Sequence, residues 1–209
     1  MNRPHIITLS GKPGSGKSST SDKIAELLSY TRYSSGDEVR KIIKHQGLTL
    51  SEYNDLAAKD PSMDHAIDEK LRLLRSECDI VIDSRLGFYW IPESFKVYLN
   101  LDIEVSTARI YKDIEDNQSR VDSGEQANLM SEMMLSVKSR LKNEEERFIN
   151  LYGVDPYQTE HFDLIINTAN HSPQTVAMTI LSHYDDWLKC DVWKPVTEKA
   201  LVPDKPTPE

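Results

Sequence analysis

The run GKPGSGKS at positions 11–18 constrains this chain more than any other feature of its sequence. It matches the phosphate-binding loop pattern G-x-x-x-x-G-K-[ST] at every specified position. The preceding residues 5–10 form an uncharged, mostly β-branched and apolar run, which is typical of a buried parallel strand. Apolar residues at helical spacing follow at Ile24, Leu27 and Leu28. The order strand, glycine loop, helix therefore predicts a loop that holds a phosphorylated ligand rather than a chance match.

The residue types in this loop suit a nucleoside triphosphate. Glycines let backbone amides approach phosphate oxygens, and the following helix turns its positive end toward the same anion. Lys17 would add a point charge on the β and γ phosphates, and the Ser18 hydroxyl would ligate Mg²⁺. We therefore expect ATP and Mg²⁺ as cofactors. The residues predicted to hold the donor are Gly11, Lys12, Pro13, Gly14, Ser15, Gly16, Lys17, Ser18 and Ser19.

Bulk composition favours one domain without a polyanionic partner. The 209 residues are 38% hydrophobic, enough for one core, and we place a single domain at 1–190. No run approaches the ~18 apolar residues of a membrane span, and no secretory signal opens the chain. The net charge of −9 opposes binding to a nucleic-acid polymer. We expect a cytoplasmic monomer with a small-molecule nucleotide substrate and no membrane contact.

Strand-like and helical patterns alternate along the chain. The predicted strands lie at 5–10, 31–34, 79–83, 96–101 and 163–168. The predicted helices lie at 17–30, 37–46, 51–59, 62–76, 104–117, 127–151 and 173–189. Such alternation predicts an α/β fold, a doubly wound five-stranded parallel sheet flanked by helices. Prolines among charged residues then predict an extended tail at 191–209.

Two further segments lie where the second and third predicted strands end. Residues 33–40 read YSSGDEVR, and residues 82–85 read IDSR. The carboxyl ends of parallel strands form the ligand-binding edge, so both segments are expected beside the phosphate loop. Arg40 and Arg85 offer planar forks that can grip an acceptor phosphate. Asp83 is a candidate carboxylate near Mg²⁺, or alternatively a cap or turn residue.

These segments together resemble a known family. The order GKPGSGKS, SGDEVR at 35–40, IVIDSR at 80–85 and helical arginines is similar to the nucleoside monophosphate kinases. Within them, Asp83-Ser84-Arg85 resembles the aspartate-glycine-arginine segment of the cytidylate kinases, with serine replacing glycine. The resemblance covers roughly residues 5–182, and its strongest part is the phosphate loop.

The resemblance implies a P-loop kinase that uses ATP to phosphorylate a nucleoside monophosphate, with CMP or dCMP as the first expectation. It implies a helical lid at about 110–140 that closes over the transferring group. The residues implied at the acceptor are Ser35, Asp37, Arg40, Arg85, Glu144 and Arg147. The implied catalytic residues are Lys17, Arg109, Arg140 and Arg147, and the implied metal site is Ser18 with Asp83.

Other interpretations remain open at this stage. Leu86 stands where cytidylate kinases usually have an aspartate, and residues 111–132 carry six acidic side chains against Lys112 and Arg120. The acceptor could therefore be another small molecule, or the chain could be a non-catalytic nucleotide-binding module. Each helical arginine could instead form surface ion pairs, and Ser35 could be a helix N-cap. Tyr89 and Trp90 could stack on a base or form a buried pair.

Overall fold

A parallel sheet of six strands runs through the part of the chain that the structure, a computed structural model, describes: residues 3–115 and 123–198. The strands are β1 (Ile6–Gly11), β2 (Thr31–Ser34), β3 (Ile80–Asp83), β4 (Phe95–Asn100), β5 (Leu164–Asn167) and β6 (Val196–Glu198). Their order across the sheet is β2-β3-β1-β4-β5-β6, and every neighbouring pair is parallel. The predicted doubly wound parallel sheet is confirmed.

Helices connect the strands and cover both faces. They are α1 (Lys17–Leu28), α2 (Ser35–Gln46), α3 (Leu50–Ala57), α4 (Ser62–Leu74), α5 (Gly87–Trp90), α6 (Ile103–Glu115), α7 (Ser123–Tyr152) and α8 (Pro173–Lys189), with a 3₁₀ turn at Thr159–His161. Within the described ranges, none of these helices combines the length and the apolarity that crossing a membrane would require.

Strand β1 shows why the sheet needs cover on both faces. Successive side chains of a strand point to opposite faces, so a run without polar alternation buries both. Ile7 and Leu9 are fully buried in a cluster with residues of α1 and α8, while Ile6 is fully buried in a second cluster that includes Leu71 of α4. The central position of β1 therefore fixes the phosphate loop, which follows it, at the middle of the sheet edge.

The prediction of five strands was one strand short. Val196 pairs with Leu164, so β6 extends the sheet beyond β5, within the segment predicted as an extended tail. Trp193 packs edge-on against Phe95 and its indole N–H donates to the Asp163 carbonyl at 3.1 Å. A three-residue strand directly after Pro195 is too short to show a period. Residues 199–209 of the predicted tail lie outside the described residues.

The predicted lid at about 110–140 falls on the end of α6 and the first half of α7. Helix α7 begins at Ser123, four residues before the predicted start at 127. Residues 116–122, which include Asp116, Arg120 and Asp122 of the predicted acidic lid, lie outside the described residues.

Candidate active site

The phosphate loop joins β1 to α1 in a conformation that only glycine accommodates at two positions. Gly11 has a φ of 145°, and a Cβ there would overlap the Leu99 carbonyl oxygen. Gly14 has a φ of 69°, and a Cβ there would lie 2.9 Å from the Ser106 carbonyl oxygen. Left-handed backbone and close backbone approach both exclude a side chain. Gly16, the second glycine that the motif specifies, also has a positive φ, of 83°. Local geometry therefore favours glycine at both motif positions and at Gly14 between them.

Neighbouring elements hold the carbonyl oxygens of this loop. Ser106 of α6 donates its hydroxyl to the Pro13 carbonyl at 2.6 Å, and Thr168, just after β5, donates to the Ser15 carbonyl at 3.2 Å. Both side chains are buried. The loop therefore arrives at the sheet edge with a fixed shape, which is the condition for binding an anion through backbone amides.

Lys17 is half-buried beside the loop. Its ammonium donates to the Gly11 and Lys12 carbonyl oxygens, each at 2.8 Å. Burial, followed by repulsion from Arg85, lowers the pKa of Lys17 to about 7. The side chain predicted to meet the donor phosphates is therefore close to its titration midpoint at neutral pH.

Ser18 and Asp83, the predicted metal ligands, lie side by side. The Ser18 hydroxyl donates to the Asp83 carboxylate at 2.9 Å, and the Ser34 hydroxyl lies 3.4 Å from the same oxygen. A hydroxyl next to a carboxylate offers the hard oxygen donors that Mg²⁺ takes together with phosphates and water. These residues therefore fit the expected ion.

Arg32 holds Asp83 in place, although the sequence did not indicate Arg32 as a site residue. Its guanidinium lies 3.4 Å from Asp83 and 2.9 Å from Asp37, and its Nε donates to the Ser21 hydroxyl at 2.8 Å. Arg32 thus links α1, α2 and β3. An arginine within a four-residue strand was the signal available in the sequence, but a strand arginine alone does not indicate which carboxylates it will meet.

A pocket of about 380 Å³ opens beside the phosphate loop, between α2, α3, α4 and α7. Five of the six residues predicted at the acceptor line it: Ser35, Arg40, Arg85, Glu144 and Arg147. Of the predicted catalytic arginines, Arg140 and Arg147 line it. Asp37 instead lies beside the pocket and pairs with Arg40, whose side chain is 63% exposed. Ser34, rather than Ser35, caps α2, because its hydroxyl accepts from the Asp37 amide.

The inner wall of this pocket carries a cluster of charges around Glu144, which is 4% exposed. Its carboxylate pairs with Arg85, lies 2.9 Å from the Arg140 Nε and accepts a hydrogen bond from the Tyr157 hydroxyl at 2.6 Å. Burial by itself raises the pKa of Glu144, but Arg85 and Arg140 outweigh it and lower the pKa to about 2. Glu144 is therefore a permanent buried anion.

The floor of the pocket holds a second buried ion pair. The Arg147 Nε lies 3.3 Å from the Asp64 Oδ2, yet neither atom has a hydrogen-bond partner among the described residues. The hydroxyl of Tyr53, which also lines the pocket, has none there either. Burial raises the pKa of Asp64 to about 6, although Arg147 opposes that effect. The floor of the pocket thus combines a carboxylate, a guanidinium and a phenol hydroxyl, which together can donate and accept hydrogen bonds.

A second pocket has a volume of about 470 Å³. Residues of the phosphate loop and the start of α1 line it, together with Arg109, His171 and Pro173. The Arg109 guanidinium donates to the Thr168 and Ala169 carbonyl oxygens at 2.6 and 2.7 Å. Arg109 therefore lines the pocket that the loop forms, whereas Arg140 and Arg147 line the first pocket.

Tyr89 and Trp90 form a packed aromatic pair rather than an open stacking surface. Their ring centroids are 4.7 Å apart in an edge contact, and Tyr152 packs against both rings. The Trp90 indole N–H donates to Asp68 at 2.9 Å. The pair therefore supports α4, which carries Asp64 and Asp68.

Comparison with known proteins agrees with this geometry. A family model described as an AAA domain matches residues 10–128. The cytidylate kinase of Halobacterium salinarum is 32% identical over 183 residues, which cover 86% of this chain and 89% of that protein. The chain belongs to the cytidylate kinase family. The predicted assignment to the nucleoside monophosphate kinases, and to their cytidylate kinase branch, is confirmed.

Other similarities are narrower. An S-adenosylmethionine-dependent nucleotide dehydratase of Lacinutrix mariniflava is 33% identical over 180 residues, covering 85% of this chain but only 35% of that protein. A solved shikimate kinase of Acinetobacter baumannii superposes with a TM-score of 0.53 at 18% identity, covering 88% and 94% of the two chains. The second similarity shows the fold alone.

In this cytidylate kinase family member, the sequence suggested candidate residues at the edge of the pocket but, of those on its floor, only Arg147. The phosphate loop and Arg85 stand at strand ends, where the position in the fold can be read from the sequence. Asp64 and Tyr53 lie within polar helices, where a carboxylate or a phenol looks like a surface residue. Tyr157 lies in the connection after α7, where no pattern marks it.

Proposed function

We propose that this cytidylate kinase family member transfers the γ-phosphoryl group of ATP to CMP or dCMP, giving ADP and the corresponding diphosphate. The floor of the acceptor pocket carries the proposal, because Asp64 and Arg147 line it and place a carboxylate and a guanidinium side by side there, with 3.3 Å between Asp64 Oδ2 and Arg147 Nε. Ile43, Leu71 and Phe148 also line the pocket and supply apolar contacts for a base.

The polar pattern of this floor matches cytosine better than uracil. The exocyclic amino group of cytosine donates hydrogen bonds, which an ionised Asp64 accepts. The guanidinium of Arg147 donates to the ring nitrogen of cytosine next to this amino group, or to the cytosine carbonyl oxygen. Uracil presents a carbonyl oxygen where cytosine has its amino group, so a carboxylate would face an oxygen and both would remain unpaired. A buried mismatch of this kind weakens binding strongly.

Different groups bind the acceptor and the donor during phosphoryl transfer. Arg85 and Arg40 grip the acceptor phosphate, while the loop amides and Lys17 hold the donor. Arg140, which shares Glu144 with Arg85, adds positive charge near the transferring group. A loose transition state requires positioning and charge more than a strong base. Mg²⁺ held near Ser18 and Asp83 would neutralise charge on the phosphate oxygens.

A panel of acceptors tests the proposal. Purified enzyme with ATP and Mg²⁺ is given CMP, dCMP, UMP, AMP, GMP or shikimate, and diphosphate or ADP is measured. We expect CMP and dCMP to give the highest kcat/KM. Equal use of UMP would contradict the base assignment, and ADP formation from shikimate alone would favour a non-nucleotide acceptor. Slow ATP hydrolysis that no acceptor changes would indicate a non-catalytic module.

Asp64→Asn sharpens this test. An amide can donate to the uracil carbonyl, so the ratio of kcat/KM for CMP over UMP should fall by about tenfold or more. Asp55→Asn, which makes the same change at an exposed position of α3, is the matched control and should leave the ratio unchanged. An unchanged ratio in Asp64→Asn would contradict the role of Asp64.

A further inference from the structure

Tyr157 contacts both members of the ion pair between Glu144 and Arg85. Its hydroxyl donates to Glu144 at 2.6 Å and accepts from the Arg85 Nε at 3.3 Å. The ring packs against the aromatic cluster of Phe88, Tyr98 and Phe162, and the Tyr157 amide donates to Asp155 at 2.8 Å. These contacts of the ring and the amide position the Tyr157 hydroxyl between Glu144 and Arg85.

Glu144 constrains how Arg85 can be used. In the structure, Arg85, Arg140 and Tyr157 all contact this buried carboxylate. An acceptor phosphate that draws Arg85 to itself removes one of these partners. A buried carboxylate left without sufficient partners is strongly destabilising. Movement of Arg85 from Glu144 to the acceptor phosphate is therefore favourable only if Arg140 and Tyr157 still satisfy the Glu144 carboxylate.

We propose that Tyr157 is a positioning residue for acceptor-phosphate binding: its hydroxyl keeps Glu144 paired, together with Arg140, while Arg85 moves from Glu144 to the phosphate. The proposal rests on the proposed function, since it needs a phosphorylated acceptor. Both contacts of Arg85 in this cluster are made at Nε, and its terminal nitrogens form the fork that can grip two phosphate oxygens. Tyr157 acts through Glu144 and Arg85 and does not itself touch the acceptor.

Tyr157→Phe tests this role because it removes one hydroxyl and keeps the ring. We expect the KM for CMP to rise about tenfold, with kcat within about twofold and the KM for ATP unchanged. Tyr89→Phe is the matched control, since Tyr89 packs against the same aromatic cluster but contacts neither Glu144 nor Arg85 in the described hydrogen bonds. It should match the parent enzyme.

A second measurement separates phosphate positioning from a change in pocket shape. Cytidine, which lacks the phosphate, is measured as a competitive inhibitor of CMP phosphorylation. Its inhibition constant should be the same for Tyr157→Phe and the parent, because no phosphate draws Arg85 away from Glu144.

Three results would count against the role. An unchanged KM for CMP in Tyr157→Phe would overturn it, and so would an equal loss for cytidine and CMP, which would assign Tyr157 to pocket shape alone. In either case the proposed function would stand, since the parent turns over CMP. A parent enzyme without CMP turnover would instead overturn the proposed function and this role with it.

Discussion

Lys17 is the residue whose chemistry depends most on its surroundings. A lysine in water keeps its charge well above neutral pH, but burial and Arg85 bring the pKa of Lys17 to about 7. The charge is thus present below pH 7 and is lost as the pH rises above it. A triphosphate placed against Lys17 favours the charged form and draws a proton from the solvent.

Proton uptake on donor binding follows from this pKa. At pH 8 we expect ATP binding to take up close to one proton, measured by isothermal titration calorimetry in buffers of different ionisation enthalpy. Lys17→Arg keeps a permanent charge, so its binding enthalpy should not depend on the buffer. Buffer-independent enthalpy in the parent protein would show that Lys17 is already charged before ATP binds.

Asp64 carries a stability cost that a neutral isostere removes. Burial raises the pKa of Asp64 to about 6 in the folded state, above the ordinary value of an aspartate, so ionisation destabilises the folded state. The cost is fully present above pH 6 and disappears as the pH falls toward 3.8. We expect Asp64→Asn to raise the free energy of unfolding by about 1–3 kcal/mol at pH 7.5.

Urea denaturation of the parent and of Asp64→Asn at several pH values measures this difference. It should shrink steadily between pH 7.5 and pH 4.5. A less stable Asp64→Asn protein at pH 7.5 would mean that the ion pair with Arg147 outweighs the burial of the carboxylate.

Helix α3 shows how an element positions the acceptor pocket. Thr49 and Glu52 form a capping box at its start, in which the Thr49 hydroxyl accepts from the Glu52 amide and the Glu52 carboxylate accepts from the Thr49 amide. The helix then presents Tyr53 and Asn54 to the pocket. The capping box therefore fixes the direction from which Tyr53 approaches the floor.

Loss of this cap should affect the acceptor and not the donor. Thr49→Ala should cost about 1 kcal/mol of stability and raise the KM for CMP a few-fold, with the KM for ATP unchanged, as initial-rate kinetics and thermal unfolding would show. Ser172→Ala removes the hydroxyl that caps α8 and should cost a similar stability without changing the KM for CMP. Equal KM values for CMP in Thr49→Ala and the parent would show that α3 needs no cap to position Tyr53.

Which elements the sequence predicts depends on their length. Residues 79–83 and 163–168 form apolar runs long enough to show burial on both faces, and strands are present at both. Helix α5 has four residues and β6 has three, about one helical turn and one and a half strand repeats, which is too short for a pattern of buried and exposed positions to stand out. Their positions come from tertiary packing, such as that of Trp193 on Phe95, which no local pattern records.

At the scale of the whole molecule, the two pockets are lined by separate sets of residues, and the C-terminal segment packs at the β5–β6 end of the sheet. Trp193 covers Phe95, and the guanidinium of Arg3 lies over the Trp187 ring at 4.4 Å. Neither Trp193 nor Trp187 lines either pocket. The packing of the C-terminal segment therefore contributes to stability without lining either pocket.

Trp193→Ala should lower the stability of the protein without weakening substrate binding. We expect a loss of about 2–3 kcal/mol in the free energy of unfolding, with both KM values unchanged, as measured by thermal unfolding and steady-state kinetics. Trp193→Phe retains the aromatic packing and should recover most of the loss. A changed KM for CMP in Trp193→Ala would show that the C-terminal segment is coupled to the site.

The central place of β1 has a consequence for biosynthesis. Strand β1 pairs with β3 and β4, which lie many residues later in the chain and are therefore synthesised after it. Until then, Ile6, Ile7 and Leu9 remain without their native cover, and pairing over such separation is slow. The nascent β1 segment is thus one for which early protection by a chaperone matters.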